Sequence, residues 1–254
     1  MKKALFFVIM FLMIQVVVMV FFTVMARMMH VSHKSVTMLI LISSVSSLIV
    51  IGLFAWQKWT PINRLYMRSR PWTVFVWSAI AASGAILPSI GLQDIMPELP
   101  NFSEDELTGL LGSRWGYFVL GLAAPVAEEF VFRGAALRAL LDSMQGNHWK
   151  PIAISALLFS LAHMNPAQMP HAFLIGLLLG WMYYRTRSII PGIVYHWVNN
   201  TVAYVMSNLM PNVEHLTDLF GQQPMRIGLA LVCSLCIFLP AIFQLHQNMK
   251  RVES

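Results

Sequence analysis

Residues 115–140 read WGYFVLGLAAPVAEEFVFRGAALRAL, an apolar run that carries Glu128, Glu129 and Arg133 near its middle. A helix needs about 20 predominantly apolar residues to cross a bilayer, and this run is long enough. Ionisable groups inside such a run cost at least about 2.5–3.5 kcal/mol each on insertion scales, and they mark functional sites by default. The stretch therefore predicts a transmembrane helix that carries chemistry.

The rest of the chain has the same apolar character. Hydrophobic residues make up 57% of the 254 residues and charged residues only 11%, against about 25% charged in ordinary globular proteins. Seven further apolar runs cover residues 4–25, 36–56, 72–90, 152–163, 171–184, 189–206 and 227–243. We predict an all-α, polytopic transmembrane helix bundle of about eight spans, built as a single integral membrane domain over residues 1–254.

Two points in this topology have alternatives. The first run is longer than the apolar region of about 7–15 residues in a signal peptide, so we interpret it as a retained anchor. The runs at 152–163 and 171–184 are short for full crossings, and a re-entrant pair is the alternative for them. A secreted disulfide scaffold is excluded, because the only cysteines, Cys233 and Cys236, lie inside an apolar run.

The distribution of basic residues predicts the orientation. With the N-terminus inside and the spans alternating, only Arg27, Lys34, Arg114 and Arg226 fall outside. The positive-inside rule then predicts that both termini are cytoplasmic. The +6 net charge is thus an orientation signal, and we expect a lipid bilayer of the bacterial inner (cell) membrane type as the partner, and no nucleic acid. The residues expected inside are Lys2, Lys3, Lys58, Arg64, Arg68, Arg70, Arg133, Arg138, Lys150, Arg185, Arg187, Lys250 and Arg251.

The outer loop at 91–114 holds a cluster of acidic residues. Within it, Ser103 and Glu106 have the spacing of a capping box, in which two side chains cap the first turn of a helix. We predict a short amphipathic helix on the outer surface. We interpret it as a solvated loop helix without a chemical role, because such interfacial segments are common.

Helical spacing divides the charged residues of the fourth run into two groups. Glu129 and Arg133 are one turn apart on the same face, so they should form an ion pair that supports the structure. Glu128 points away from Arg133 and has no partner within its own helix. Glu128 is therefore the candidate general base.

Two later runs carry the other polar candidates. His163 ends the fifth run, and His196 and Asn200 share one face of the seventh at i,i+4 spacing. At 1.5 Å per residue, these residues and Glu128 lie about 11–18 Å from the cytoplasmic ends of their helices. We expect them to converge, with water entering from the cytoplasm. The alternatives are an interhelical hydrogen bond for His196 and Asn200 and an interfacial position for His163, and we interpret His171 as interfacial.

The combined motifs resemble the CAAX prenyl protease type II and bacteriocin-processing (CPBP, or Abi) family of intramembrane proteases. The resemblance covers about residues 115–205, which we take as the catalytic core. The residues that carry it are Glu128-Glu129-x-x-x-Arg133, then Phe159-x-x-x-His163, then His196-x-x-x-Asn200.

The resemblance implies an intramembrane endopeptidase that cuts a peptide or membrane-protein substrate near the membrane. Glu128 with His163 would activate a water, and His196 with Asn200 would stabilise the oxyanion. The resemblance allows a glutamate-type or a metallo-type enzyme. If zinc is the cofactor, His163, His196 and Glu128 are its candidate ligands. We favour the metal-free form, because Asn200 is a poor zinc ligand and suits an oxyanion donor.

Two other functions stay open at this point. The resemblance also allows a non-catalytic bacteriocin-immunity or scaffolding membrane protein. Buried Glu and His side chains also serve as relays in proton-coupled transporters. Transporters commonly show repeated halves, and this sequence shows no such repeat.

Overall fold

A computed structural model describes residues 1–30, 35–144 and 146–250 of the chain. Every regular element in these ranges is a helix, so the predicted all-α class is confirmed. Two residues of the orientation prediction, Lys34 and Arg251, lie outside the described residues.

Each of the predicted apolar runs lies in a helix of the structure, to within one residue at its ends. One of these, α6, is a continuous helix in which α-helical and π-helical turns alternate. In chain order the helices are α1 (Lys2–Met28), α2 (Val36–Trp56), α3 (Arg64–Arg68), α4 (Trp72–Ile95), α5 (Glu104–Leu111), α6 (Arg114–Ser143), α7 (Trp149–Ala162), α8 (Met169–Thr186), α9 (Ile190–Leu209), α10 (Leu216–Phe220) and α11 (Pro224–Asn248).

Within the described ranges, five helices are long and apolar enough to cross a membrane, namely α1, α2, α4, α6 and α11. The apolar helix α7 has only 14 residues. Helices α8 and α9 are long enough but less apolar, because they carry polar side chains such as His171, His196 and Asn200. The chain is therefore a multi-pass membrane protein, and the count of eight spans stays a prediction.

Helix α6 lies at the centre of the bundle and is the most buried of the five long apolar helices. Helices α1 and α2 pack on one side of it, and α4 packs along both α9 and α11. Helices α7 and α8 approach closely because Gly176 and Gly180 have no side chain. A Cβ atom at either position would lie 2.9 Å from an atom of Ala156 or Ile152. Small residues at a helix interface permit such close contact inside a membrane.

Helix α6 contains two π-helical stretches, Phe118–Ala123 and Glu129–Leu137, on either side of the turn that ends at Glu128. Such wide turns are frequent at functional sites. Side chains from neighbouring elements donate to backbone carbonyls of α6. The Thr60 hydroxyl donates to the Phe130 oxygen at 2.5 Å, and the Ser155 hydroxyl to the Phe132 oxygen at 3.0 Å. These bonds satisfy backbone groups that no water could reach inside a bilayer.

The predicted loop helix is present as α5, but the predicted capping box is wrong. Among the residues that the structure describes, no side chain caps the N-terminus of α5. The Ser103 hydroxyl instead accepts a hydrogen bond from the Asn165 side-chain amide at 2.7 Å. The same amide group donates to the Asn101 side-chain oxygen at 2.8 Å, and the Asn165 oxygen accepts from the Phe102 backbone N–H. Asn165 thus ties the start of α5 to the loop that follows α7.

Candidate active site

A cavity of about 400 Å³ lies between α5, α6, α7, α8 and α9. All four residues that the sequence analysis proposed as catalytic line it. Its walls are otherwise mostly apolar. The lining residues are Leu107, Leu111, Leu120, Ala124, Glu128, Phe159, His163, Gln168, His171, Ala172, Ile175, His196, Asn199, Asn200 and Ala203.

Glu128 is the carboxylate that faces this cavity. Its side chain is 20% exposed, whereas the neighbouring Glu129 is fully buried. The Glu128 Oε2 atom lies 3.7 Å from Nε2 of His196, which is beyond direct hydrogen-bond distance. Polar groups at such a separation are commonly bridged by water or tighten when a substrate binds.

Glu129 and Arg133 form the ion pair that their spacing predicts. The Arg133 Nη1 atom lies 2.7 Å from Oε1 of Glu129, and both side chains are at most 1% exposed. The Arg133 guanidinium also lies 4.3 Å from the centre of the Phe159 ring, a cation–π contact. Glycine at position 192 makes room for the pair, because a Cβ there would lie 2.7 Å from Oε2 of Glu129.

The His196 ring lies between the two glutamates. Its Nε2 faces Glu128, and its Nδ1 lies 3.5 Å from Oε1 of Glu129. The Nδ1 atom is buried and has no hydrogen-bond partner within the part of the chain that the structure describes. Glu129 is therefore the group placed to accept from Nδ1, which keeps Nε2 directed into the cavity. The partner of one ring nitrogen determines what the other can do.

His163 approaches the cavity from the end of α7. Its Nδ1 lies 2.9 Å from the Phe159 backbone oxygen, which leaves Nε2 as the free nitrogen. The Phe159 ring packs edge-on against both histidines, at 4.8 Å from His163 and 6.0 Å from His196. Phe159 thus holds the two imidazoles in place and also contacts Arg133.

Asn200 is held by two hydrogen bonds. Its side-chain amide donates to the Leu120 backbone oxygen at 2.9 Å, and its oxygen accepts from the Asn199 side-chain amide at 3.2 Å. Leu120 belongs to the first π-helical stretch of α6, whose wide turn offers this carbonyl to α9. The amide carries a second N–H, which remains available to a ligand in the cavity.

Comparisons with known proteins match most of the part of the chain that lines this cavity. Residues 110–202 match the family described as Type II CAAX prenyl endopeptidase Rce1-like. Membrane-embedded CAAX protease MroQ of Staphylococcus aureus (strain USA300) is 28% identical over 98 residues, which is 37% of this chain and 40% of the relative. The resemblance to the CPBP family is confirmed. The match runs from the end of α5 into α9, so it contains every CPBP motif named above. No solved structure matches the chain significantly.

Several polar residues beside the CPBP motifs line the cavity and were not predicted to do so. The interpretation of His171 as interfacial is wrong, because it faces the cavity together with Gln168 and Asn199. Pro170, in the first turn of α8, was the available signal. A proline there marks a helix start, and it places His171 at the same end of the bundle as His163.

Helix α5 also takes part in the site. Its residues Leu107 and Leu111, one turn apart, line the cavity, and Leu110 is buried. The interpretation of α5 as a solvated loop helix is therefore wrong for its leucine face, and the absence of a chemical role for α5 stays a prediction. The outward faces of Glu104, Asp105 and Glu106 are exposed, as the amphipathic pattern predicts.

The proposed zinc ligands of the CPBP site do not fit a metal ion as they are arranged. Among the described residues, no group of three His, Cys, Asp or Glu side chains lies close enough to hold one. Catalytic zinc needs three protein ligands at about 2.0–2.2 Å from one centre, and the described side chains do not meet this requirement as they are arranged.

Proposed function

We propose that this chain is an intramembrane endopeptidase that hydrolyses a peptide bond of a peptide or membrane-protein substrate close to the membrane. The observation that carries the proposal is the convergence of Glu128, His163, His196 and Asn200, from three helices, on one mostly apolar cavity. Each of these polar side chains costs free energy inside a bilayer, so their convergence in an apolar bundle points to a function.

In the proposed reaction, the Glu128 carboxylate accepts a proton from a water molecule that also bonds to the free nitrogen of His163. The oxygen of this water attacks the carbonyl carbon of the substrate. The negative charge on the carbonyl oxygen is stabilised by the free amide N–H of Asn200 and by Nε2–H of His196, whose ring donates from both nitrogens when it is protonated. The proton held by Glu128 then passes to the leaving amine as the C–N bond breaks, which restores the carboxylate.

The buried ion pair has a supporting role in this scheme. Arg133 compensates the charge of Glu129, and Oε1 of Glu129 faces Nδ1 of His196 at 3.5 Å. The ring is thereby held with Nε2 towards Glu128 and the cavity. Glu129 and Arg133 are positioning residues, since neither lines the cavity.

We also propose that the bundle crosses the membrane eight times, with both termini in the cytoplasm of a bacterial-type cell. The described helices that match the eight apolar runs support this count, and the basic residues support the orientation.

The test is cleavage of model peptides, each with a scissile region beside an apolar segment, by the purified protein in liposomes. We expect Glu128→Gln to lower the rate by about 10²–10⁴-fold, the usual contribution of a general base. We expect Asn200→Ala to lower it by about 10²–10³-fold, as for the loss of one oxyanion donor. Glu98→Gln is the matched control, because Glu98 is an exposed loop residue.

Full activity of Glu128→Gln would overturn the assignment of the base. Activity that survives exhaustive chelation is the result expected of a glutamate-type enzyme. Loss of activity on chelation, with recovery on adding zinc, would instead establish the metallo-type.

A further inference from the structure

The cavity lies in one half of the bundle only. Helix α6 contributes residues from the half that begins at Arg114, and α7 contributes its last turn and His163. Helix α8 contributes its first two turns, and α9 contributes its middle part, from His196 to Ala203. Consecutive helices run in opposite directions, so all these segments lie at the same end. The α5 helix lies at that end and places Leu107 and Leu111 in the cavity wall.

The other half of the bundle is sealed below Glu128. The Glu129–Arg133 pair lies directly beneath it, followed by Phe132, Leu137 and Ile152, all with 0% exposure. No residue from the far ends of α6, α7, α8 or α9 lines the cavity. This buried layer separates the cavity from the opposite end of the bundle, which leaves the α5 end as the side from which water and substrate would enter.

Basic residues gather at the sealed end. Arg138 donates to the Trp59 backbone oxygen at 2.8 Å, and the rings of Phe6 and Phe7 near the N-terminus pack on Trp59. Arg185 donates to backbone oxygens at the C-terminus of α11. The sealed end therefore holds both termini, the connection between α2 and α4, and the basic ends of α6 and α8.

The imbalance of charge between the two ends is large. Arg133 is buried in the middle of the bundle and is not counted at either end. The basic residues described at the α5 end are Arg27, Arg114 and Arg226. Those described at the sealed end are Lys2, Lys3, Lys58, Arg64, Arg68, Arg70, Arg138, Lys150, Arg185, Arg187 and Lys250. Loops rich in Lys and Arg stay in the cytoplasm, so the sealed end is the cytoplasmic one.

We propose that the cavity opens on the extracytoplasmic side of the membrane. This proposal differs from the expectation that water enters from the cytoplasm, because the buried layer lies between the cavity and the basic end. This inference rests on the proposed protease function. The substrate is then a peptide segment presented at the outer surface, and apolar side chains beside its scissile bond match the apolar walls of the cavity. Helix α5 covers this segment with its leucine face, while its acidic face meets the aqueous phase.

The test of orientation is chemical labelling and does not depend on proteolysis. In a Cys233→Ser/Cys236→Ser background, single cysteines replace Gln168 in the cavity, Met164 on the exposed loop after α7, or Lys150 at the sealed end. Intact cells are treated with a charged maleimide that does not cross membranes. We expect Gln168→Cys and Met164→Cys to be labelled in intact cells, and Lys150→Cys only after permeabilisation.

The opposite pattern, with only Lys150→Cys labelled in intact cells, would show that the cavity faces the cytoplasm. Labelling of Met164→Cys without Gln168→Cys, before and after permeabilisation, would show that the cavity is closed to water. Labelling of all three in intact cells would show that the chain has no single orientation. Each of these results overturns the proposal.

A second arm examines the substrate. Two reporters carry the same cleavable segment, placed at the outer end of a transmembrane helix in one and at the inner end in the other. We expect the protein to cut only the outer reporter, and cutting of only the inner reporter would overturn the proposed side. If neither is cut while labelling gives the expected pattern, the protease function fails and the outward opening stands.

Discussion

The buried ion pair between Glu129 and Arg133 permits a quantitative prediction. Its charges are 2.7 Å apart and at most 1% exposed. At an effective dielectric constant of about 20, their attraction is about 6 kcal/mol. Part of this is offset by the cost of removing both charges from water. Arg133→Met keeps a long apolar stem but leaves the Glu129 carboxylate buried without a counter-charge. We expect a loss of about 3–5 kcal/mol in the free energy of unfolding.

The measurement is reversible unfolding in mixed micelles with increasing denaturing detergent. The double variant Glu129→Gln/Arg133→Met removes both charges, so it should recover much of the loss. We expect a coupling free energy of about 2–3 kcal/mol between the two sites. The control is Asp142→Asn, because the Arg187–Asp142 pair is 3.9 Å apart with Asp142 63% exposed. An exposed pair of this kind contributes about 0–1 kcal/mol.

Two results would refute the reasoning. One is that Arg133→Met lowers the free energy of unfolding by no more than Asp142→Asn does, which would mean that Arg133 does not stabilise the buried charge of Glu129. If the effects of the single variants simply add, with no coupling, Glu129 and Arg133 do not act as a pair.

Three further predictions concern the surroundings of the site. Gly192→Ala would place a Cβ 2.7 Å from the buried Glu129 carboxylate, so we expect overpacking to lower the free energy of unfolding by about 1–3 kcal/mol. Gly228→Ala is the control, because a Cβ there meets none of the described neighbouring atoms within 4 Å and should not lower it. Asn165→Ala should remove three hydrogen bonds at a residue that is 1% exposed, and limited proteolysis should then cut the loop before α5 faster, with unchanged cutting contradicting the role. The hydrogen bond to Asp94 raises the pKa of His215 above its usual 6.5. A pKa that is higher in the folded state means that protonated His215 stabilises the fold. The contact between α4 and α10 should therefore be fully present below about pH 6.5, and it should weaken as the pH rises through the raised pKa. Hydrogen exchange at residues 210–221 should show this, and Asp94→Asn should abolish the dependence.

Short-range features of this chain were predictable from its sequence. The apolar runs are long enough for helices inside a membrane, and a backbone without water must form helices there. The i,i+4 spacing of Glu129 with Arg133, and of His196 with Asn200, determines which side chains share a face. These properties depend on residues within a few turns of one another, so no tertiary information was needed.

The tertiary structure decided which long-range contacts those faces make. The capping box at Ser103 was not formed because Asn165, distant in sequence, offers that hydroxyl a partner inside the fold. His171 joined the cavity because α8 packs against α7, and the leucines of α5 joined it because the outer loop folds over the bundle.

The sequence by itself determined a membrane-embedded helical protein with its acid, imidazole and amide groups on defined helix faces. Only the tertiary structure decided that Glu129 faces Nδ1 of His196, that Asn200 bonds to a carbonyl of a π-helical turn, and that one end of the bundle is sealed. The physical reason is that hydropathy and helical period are local quantities. The direction in which a buried side chain points depends on how tightly every neighbouring helix packs around it.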